Sequence, residues 1–129
     1  MTKILVIDDD DLVRGTFVQM LTRAGFDVAE AKNGREGLAQ YKSQSPDLIL
    51  TDVIMPDQDG IETILALRAL STTIPIIAIS GGGRAHVMEF LDAARKLGAD
   101  LVLAKPIRQA ELVDAINRLL ARDGRKTPV

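Results

Sequence analysis

The fold is decided by the stretch Lys3-Ile4-Leu5-Val6-Ile7-Asp8-Asp9, in which a short apolar run ends in two acids. Three further apolar runs end in a polar or charged residue: 48–51 before Asp52, 76–79 before Ser80 and 101–104 before Lys105. Apolar runs of this length, flanked by turn residues, are typical of buried parallel strands. Because open parallel sheets bind ligands beyond the carboxyl ends of their strands, we expect these polar groups in one pocket.

Strands and helices alternate five times along the chain. The pattern predicts strands at Lys3–Ile7, Asp27–Ala31, Asp47–Thr51, Pro75–Ile79 and Leu101–Ala104. It predicts helices at Asp11–Ala24, after Asn33, after Asp59, at about Ala85–Leu97 and at Gln109–Ala121. This order is typical of an α/β fold with a doubly wound, five-stranded parallel sheet of strand order 2-1-3-4-5, the flavodoxin-like arrangement. We expect one domain over residues 1–121 and a short polar tail over 122–129.

Composition excludes several classes of protein. The chain has no cysteine and a single histidine, His86, so thiolate and multi-histidine zinc sites are excluded. The net charge is −2 and no dense block of Lys and Arg occurs, so no nucleic-acid partner is expected. No apolar stretch approaches the roughly 20 residues of a membrane span. The first residues also lack the pattern of a signal peptide, so we expect a cytoplasmic protein with no membrane partner.

The residues expected in the pocket suit a divalent cation and a phosphoryl group. Three carboxylates placed close together repel one another unless one is protonated or a cation neutralises them. Oxygen ligands without His or Cys favour Mg²⁺. Asp52 is the best candidate nucleophile, since a carboxylate that attacks phosphorus forms an aspartyl phosphate. Lys105, the Ser80 hydroxyl and a backbone N–H near Gly81 are candidates to bind the phosphoryl oxygens.

Each of these residues alone has an ordinary structural interpretation. An aspartate after a strand is most often a turn residue or a helix cap, which is what we expect of Asp10 and Asp11. A single Lys105 would be a solvated lysine and a single Ser80 a turn residue. The coincidence of such residues at four strand ends favours the functional interpretation.

The chain resembles the receiver domain of two-component response regulators over about residues 3–121. The matching motifs are Ile4–Asp9, Leu50–Pro56, Asp59-Gly60, Ile79–Gly81 and Ala104–Pro106. The resemblance implies that Asp52 is the phosphoacceptor and that Mg²⁺ is bound by Asp8, Asp9, Asp52 and the backbone carbonyl of Ile54. It implies phosphoryl-binding and switch roles for Ser80, Gly81 and Lys105, and a cis peptide bond before Pro106.

The resemblance also implies partners and two departures from the family pattern. The phosphoryl donor would be a phosphohistidine on a sensor histidine kinase or a histidine phosphotransfer protein. The downstream protein would bind the face formed by helix 4, strand 5 and helix 5. The first departure is Val102, which stands where receivers usually carry an aromatic or His residue. The second is the stretch from Ser80 to Gly98, which is longer than is common in the family and holds three glycines at 81–83. Our hypothesis is that the loop 81–83 moves in place of the aromatic residue. Ile54 and Gly82 have no side chain that orients water, which predicts slow self-dephosphorylation.

The outer face of the first helix is a candidate docking surface for the kinase, through Arg14, Gly15, Val18 and Thr22. Three alternatives stay open. The first is a pseudo-receiver that only binds partners. The second is a receiver fragment of a larger regulator or hybrid kinase. The third is a Mg²⁺-dependent phosphohydrolase with an aspartyl nucleophile. A start at Met1 favours a stand-alone receiver. Val53-Ile54 after Asp52 disfavours the hydrolase, which generally needs a second acid close to its nucleophile.

Overall fold

A computed structural model describes residues 1–53, 60–80, 92, 94–96 and 98–123. Five strands are present: β1 (Lys3–Ile7), β2 (Asp27–Ala31), β3 (Leu48–Asp52), β4 (Ile76–Ser80) and β5 (Leu101–Ala104). The longer helices are α1 (Asp11–Arg23), α2 (Gly34–Gln44), α3 (Gly60–Leu70) and a C-terminal helix (Gln109–Asp123). Between β4 and β5, Asp92 and residues 94–96 are helical, within the predicted fourth helix. Most of that helix, and the predicted cap of α3 at Asp59, lie outside the described residues.

The sheet confirms the predicted fold class. All four strand pairs are parallel and the order is β2-β1-β3-β4-β5. Alternate residues of the central strands contribute to two cores, one on each face. Ile4, Val6, Leu48 and Leu50 pack with α1 and the C-terminal helix, and Leu5, Ile7 and Ile49 pack on the side of α3. Both faces of these strands are therefore apolar, as in other parallel sheets covered by helices.

Two strands begin and end one residue later than the sequence pattern predicts. β3 includes Asp52 and β4 includes Ser80, because the parallel ladder continues to these positions. Asp52 pairs with Ile79, and Ser80 pairs with Ala104. The two polar side chains are thus held within strand ends rather than in the loops that follow.

The ends of α1 follow the predicted signals closely. The Asp10 carboxylate accepts hydrogen bonds from the backbone N–H groups of Leu12 (2.9 Å) and Val13 (3.1 Å). Gly25 ends the helix with φ +95°, a conformation that favours glycine. The N–H of Phe26 then donates to the carbonyl of Leu21 at 3.0 Å, which completes the turn. Ala24, predicted as the last helical residue, is the C-cap instead.

At the start of α2, Asn33 and Glu36 have the spacing of a capping box, but only half of that motif forms. Asn33 Oδ1 accepts from the N–H of Glu36 at 2.8 Å, as expected of an N-cap. The Glu36 carboxylate accepts a hydrogen bond from the N–H of Lys32 (3.1 Å), which lies one residue before the cap, and not from the N–H of Asn33 as a capping box requires. The C-terminal helix continues to Asp123, two residues beyond its predicted end at Ala121.

Candidate functional site

Three aspartates gather at the carboxyl ends of β1 and β3. Asp8 is fully buried, Asp52 is buried and Asp9 is exposed. Each offers a carboxylate oxygen, and the three oxygens lie within 4.8 Å of one another. β1 and β3 are neighbours in the sheet, so the two buried acids come from adjacent strand ends. The cluster is an acidic pocket of the kind that binds a metal ion through oxygen ligands.

The surroundings of Asp8 disfavour its charged form. Burial raises the pKa of its carboxyl group, and the nearby charge of Asp52 raises it further. The backbone N–H of Asp10, which donates to Asp8 Oδ1 at 2.9 Å, acts in the opposite direction, as does Lys105. The net direction is upward, so the charged form of Asp8 is disfavoured until a further cation is present.

Lys105 lies between the two buried acids. Its Nζ is 3.1 Å from Asp52 Oδ2 and 3.3 Å from Asp8 Oδ2. Burial lowers the pKa of this ammonium, but the charges of Asp52 and Asp8 raise it by more, so the net shift is upward. The backbone holds the residue in place: its N–H donates to the carbonyl of Ser80 at 2.7 Å. The peptide bond from Lys105 to Pro106 is cis.

Ser80 places a buried hydroxyl at the end of the strand between Asp52 and Lys105. The residue is fully buried, and its Oγ has no hydrogen-bond partner among the residues that the structure describes. A buried hydroxyl without a partner is costly, so a site that keeps one is suited to a ligand that supplies an acceptor.

The structure thus brings five predicted residues to one edge of the sheet: Asp8, Asp9, Asp52, Ser80 and Lys105. Two other predicted site residues, Ile54 and Gly81, lie outside the described residues. Val102, the atypical position in β5, is partly buried and packs against the core cluster on the α3 side.

Arg14 has a role that the sequence pattern did not predict. We expected it on a docking face, together with Gly15, Val18 and Thr22. Its guanidinium donates to the backbone carbonyl of Asp8 (2.8 Å) and pairs with Asp11 (2.6 Å) and Glu30 (3.1 Å), and the docking role stays a prediction. It therefore ties the start of α1 and the end of β2 to the carboxyl end of β1. The acid three residues before it was the available sequence signal.

An apolar groove lies directly beside Lys105. It has a volume of about 300 Å³ and is lined by α1 and by the segment after β5, through Val13, Thr16, Phe17, Met20, Lys105, Pro106 and Ile107. On the neighbouring outer stripe of α1, Gly15 and Val18 are half-buried and Thr22 is exposed. Val13, Phe17 and Met20 recur at helical spacing in the sequence, a pattern that did not indicate that they line an open groove.

Among the described helices, none is both long and apolar enough to cross a membrane.

Comparison with known proteins agrees with the geometry of the site. The family model of the response regulator receiver domain matches residues 4–117. The chemotaxis protein CheY of Thermotoga maritima is 34% identical over 119 residues, which cover 91% of this chain and 96% of that protein. The transcriptional regulatory protein PrrA of Mycobacterium tuberculosis is 38% identical over 122 residues, but the chain spans only 51% of its length.

A solved structure shows the same architecture. The response regulator receiver domain protein (CheY-like) from Methanospirillum hungatei JF-1 superposes with a TM-score of 0.88 at 26% identity, covering 98% of both chains. The family match spans most of the chain, and the acids, the lysine and the serine occupy the strand ends described above. The chain therefore belongs to the receiver-domain family of two-component response regulators.

Proposed function

We propose that this chain is a phosphoacceptor receiver of a two-component phosphorelay. Asp52 takes a phosphoryl group from a phosphohistidine, with Mg²⁺, and the modified protein switches its binding of partners. The observation that carries the proposal is the buried Asp52 carboxylate, 3.1 Å from the Lys105 ammonium, within the acidic pocket. A buried nucleophile with a cation beside it and further acids around it suits phosphoryl transfer, where the protein mainly positions groups and neutralises charge.

The transfer step exchanges one bond to phosphorus for another. A carboxylate oxygen of Asp52 attacks the phosphorus and forms the new P–O bond. The P–N bond to the donor imidazole breaks, and its electron pair stays on the ring nitrogen. The ring, protonated on its other nitrogen, leaves as neutral imidazole. The protein is then an aspartyl phosphate, and Asp52 is the only covalent participant that this chain supplies.

The residues of the pocket fit Mg²⁺. All three candidate ligands are carboxylate oxygens, the donor type that this ion prefers. Burial raises the pKa of the Asp8 carboxyl group and the charge of Asp52 raises it further, so a bound cation would favour the charged form of Asp8. Bound there, Mg²⁺ would neutralise negative charge on the phosphoryl oxygens. The Ile54 carbonyl, which lies outside the described residues, remains a predicted further ligand.

Lys105 and Ser80 are proposed to sense the phosphoryl group. The Lys105 ammonium, which contacts both carboxylates, would gain a contact with a phosphoryl oxygen. The Ser80 hydroxyl, which has no hydrogen-bond partner among the described residues, would gain a phosphoryl oxygen as its acceptor. These contacts exist only in the phosphorylated state, so they supply the differential affinity that a switch requires. Gly81 is proposed to contribute a backbone N–H. The slow self-dephosphorylation predicted from Ile54 and Gly82 concerns positions outside the described residues.

The groove beside Lys105 supports a docking site for the donor, a sensor histidine kinase or a histidine phosphotransfer protein. A donor has to bring its histidine over Asp52, and the groove is the apolar surface next to that point. Leu12 at the start of α1 is 84% exposed and extends the apolar surface. We propose that a donor helix packs on Val13, Phe17 and Met20, with Gly15, Val18 and Thr22 at the margin of the contact.

The readout is proposed to use the face formed by the fourth predicted helix, β5 and the C-terminal helix. Val102 in β5 packs against the core cluster, which supports a readout without a large side-chain rotation at this position. We propose that the protein acts in the cytoplasm, through protein partners and without nucleic-acid contacts of its own. Its relatives include both short and longer proteins: the chain spans nearly all of CheY and about half of PrrA.

One experiment separates the candidate functions. The protein is incubated with acetyl phosphate and Mg²⁺ and its intact mass is followed. We expect an increase of about 80 Da, one phosphoryl group, that Asp52→Ala abolishes. The matched control is Asp114→Asn, a change at an exposed acid far along the chain, which should retain the adduct.

The other outcomes identify the alternatives. Consumption of acetyl phosphate without an accumulating adduct would favour the phosphohydrolase. The absence of both an adduct and consumption of acetyl phosphate would favour the pseudo-receiver. An adduct that persists in Asp52→Ala would contradict the assignment of the acceptor.

A further inference from the structure

Two aspartates make the same pair of backbone contacts at the edge of the sheet opposite the site. The N–H of Asp47, just before β3, donates to the carbonyl of Lys3 (2.8 Å), and its Oδ2 accepts from the N–H of the same lysine (2.8 Å). The N–H of Asp100, just before β5, donates to the carbonyl of Ile76 (2.8 Å), and its Oδ2 accepts from the N–H of Ile76 (2.9 Å). Each aspartate thus holds both backbone groups of the first residue of the neighbouring strand. We name these two contacts the register locks.

Arg68 strengthens the second register lock. Its Nη2 donates to Asp100 Oδ2 (2.9 Å) and to the carbonyl of Gly98 (2.7 Å), and its Nη1 donates to the carbonyl of Ile74 (2.6 Å). The guanidinium therefore joins the end of α3, the segment before β4 and the turn before β5. A Cβ added to Gly98, which has φ +135°, would lie 2.7 Å from Arg68 Cγ, so this turn requires glycine.

The strands involved lack a sequence pattern that would set their register. Leu101-Val102-Leu103-Ala104 is apolar at every position, and the neighbouring β4 is buried on both faces. A slip by one residue moves every side chain to the other face of the sheet, which exposes apolar residues to water only where one face is polar and solvated. A slip by one residue would move a strand end by about 3.3 Å. Polar contacts at the strand starts therefore carry the information that the apolar runs do not.

The strands held by the locks are those that end in the site. Asp47 lies five residues before Asp52, and Asp100 lies five residues before Lys105. The first lock aligns β3 with β1, which carry Asp52 and Asp8. The second aligns β5 with β4, which carry Lys105 and Ser80. A shift at either start is transmitted along a short, buried strand to one pair of site residues.

We propose that Asp47 and Asp100 are positioning residues for the site at the far edge of the sheet. Asp47 sets the spacing of the metal-binding acids, and Asp100, with Arg68, sets the spacing of the two phosphoryl-sensing groups. The assignment of Asp47 to metal binding and of Asp100 to phosphoryl binding rests on the proposed function, whereas the setting of strand register does not. The two aspartates serve as controls for each other, because their backbone contacts are alike. They differ in the strands that they join and in the contact of Arg68 with Asp100.

The test compares Asp100→Ala with Asp47→Ala in two binding measurements by calorimetry. Asp100→Ala should weaken binding of beryllium fluoride, a phosphoryl mimic, on the order of tenfold while the Kd for Mg²⁺ alone stays within about twofold. Asp47→Ala should weaken Mg²⁺ binding on the order of tenfold. Asp100→Asn and Asp47→Asn keep a side-chain oxygen for the strand N–H, and each should recover most of the lost affinity. They also serve where an alanine variant does not fold.

A second measurement tests register without any ligand. The amide of Lys105 donates to Ser80, so its hydrogen exchange should speed up in Asp100→Ala and stay unchanged in Asp47→Ala. The proposal is overturned if the two alanine variants change both affinities alike, or if Lys105 exchange is the same in both. If the unmodified protein binds neither Mg²⁺ nor beryllium fluoride, the proposed function fails, and the exchange measurement still decides whether the locks set the register.

Discussion

The buried carboxyl group of Asp8 has an electrostatic cost in the folded protein. Asp8 is fully buried and its pKa is raised by burial and by the charge of Asp52. A group whose folded-state pKa is raised stabilises the fold below its unfolded pKa, about 4 for a carboxyl group, and this stabilisation is lost as pH rises through the folded pKa. At neutral pH without metal, the charged Asp8 carboxylate therefore destabilises the protein.

Asp8→Asn should stabilise the metal-free protein. The substitution removes the buried charge, while a side-chain oxygen remains to accept from the N–H of Asp10. We expect the Tm in EDTA at pH 7 to rise by about 4 °C, and the gain to shrink as the pH falls towards 4, where Asp8 is increasingly protonated. Thermal unfolding followed by circular dichroism measures both effects. Asp114→Asn, at an exposed position, is the control, and an unchanged or lower Tm for Asp8→Asn would contradict the argument.

At the scale of the helices, two glycines within helices have different surroundings. Gly15 in α1 has nothing within 4 Å of the position where a Cβ would lie. Gly37 in α2 packs on β1, and a Cβ there would lie 2.5 Å from Cδ1 of the fully buried Ile7. α1 therefore tolerates a side chain at this point, whereas α2 approaches the sheet closely next to the strand end that carries Asp8.

Alanine at the two glycines should affect stability in opposite directions. Glycine within a helix costs about 1 kcal/mol relative to alanine, so Gly15→Ala should raise the free energy of unfolding by up to about that amount. Gly37→Ala gains the same helix propensity, but it forces Ile7 to move in a close-packed core and should lower stability. Urea unfolding of the two variants side by side is the measurement. Equal stabilisation of both would show that α2 can shift away from the sheet.

At the scale of the whole molecule, the cluster of Asp8, Asp9 and Asp52 forms only when the chain is folded. Asp8 and Asp9 follow β1, and Asp52 ends β3, some forty residues along the chain. An ion that binds this cluster binds the native state and not the unfolded one. Its binding free energy therefore adds to the stability of the entire domain.

Mg²⁺ should raise the Tm of the whole domain in a concentration-dependent way. Above the Kd, each tenfold increase in Mg²⁺ should add about 1.4 kcal/mol to the free energy of unfolding. The stabilisation should be lost in Asp9→Asn, which removes an exposed ligand without disturbing the core. A titration in KCl of matched ionic strength is the control. If KCl stabilises the protein as much as MgCl₂ does, the cluster has no specific affinity for the ion.

The fold could be predicted from local patterns of residues. Each apolar run ends at a polar residue, and the alternation with helices leaves one common topology, which the sheet order confirms. Details that depend on pairing between strands could not be predicted. Asp52 and Ser80 lie inside β3 and β4 because Ile79 and Ala104 are there to pair with them. The Glu36 carboxylate accepts from the N–H of Lys32, and the residue spacing alone does not distinguish this donor from the N–H of Asn33.

By itself, the sequence determined the strand order, the five polar residues at the strand ends and the membership of a receiver family. The strand order and the strand-end residues follow from runs of neighbouring residues and from the rule that parallel strands end at one edge, whereas the family follows from the resemblance of the motifs to those of receiver domains. The tertiary structure alone decided that Lys105 lies between Asp8 and Asp52, that Arg14 holds the carbonyl of Asp8 and that a groove opens beside the site. It also revealed the register locks, because contacts between residues far apart in the chain depend on side-chain geometry that no local pattern records.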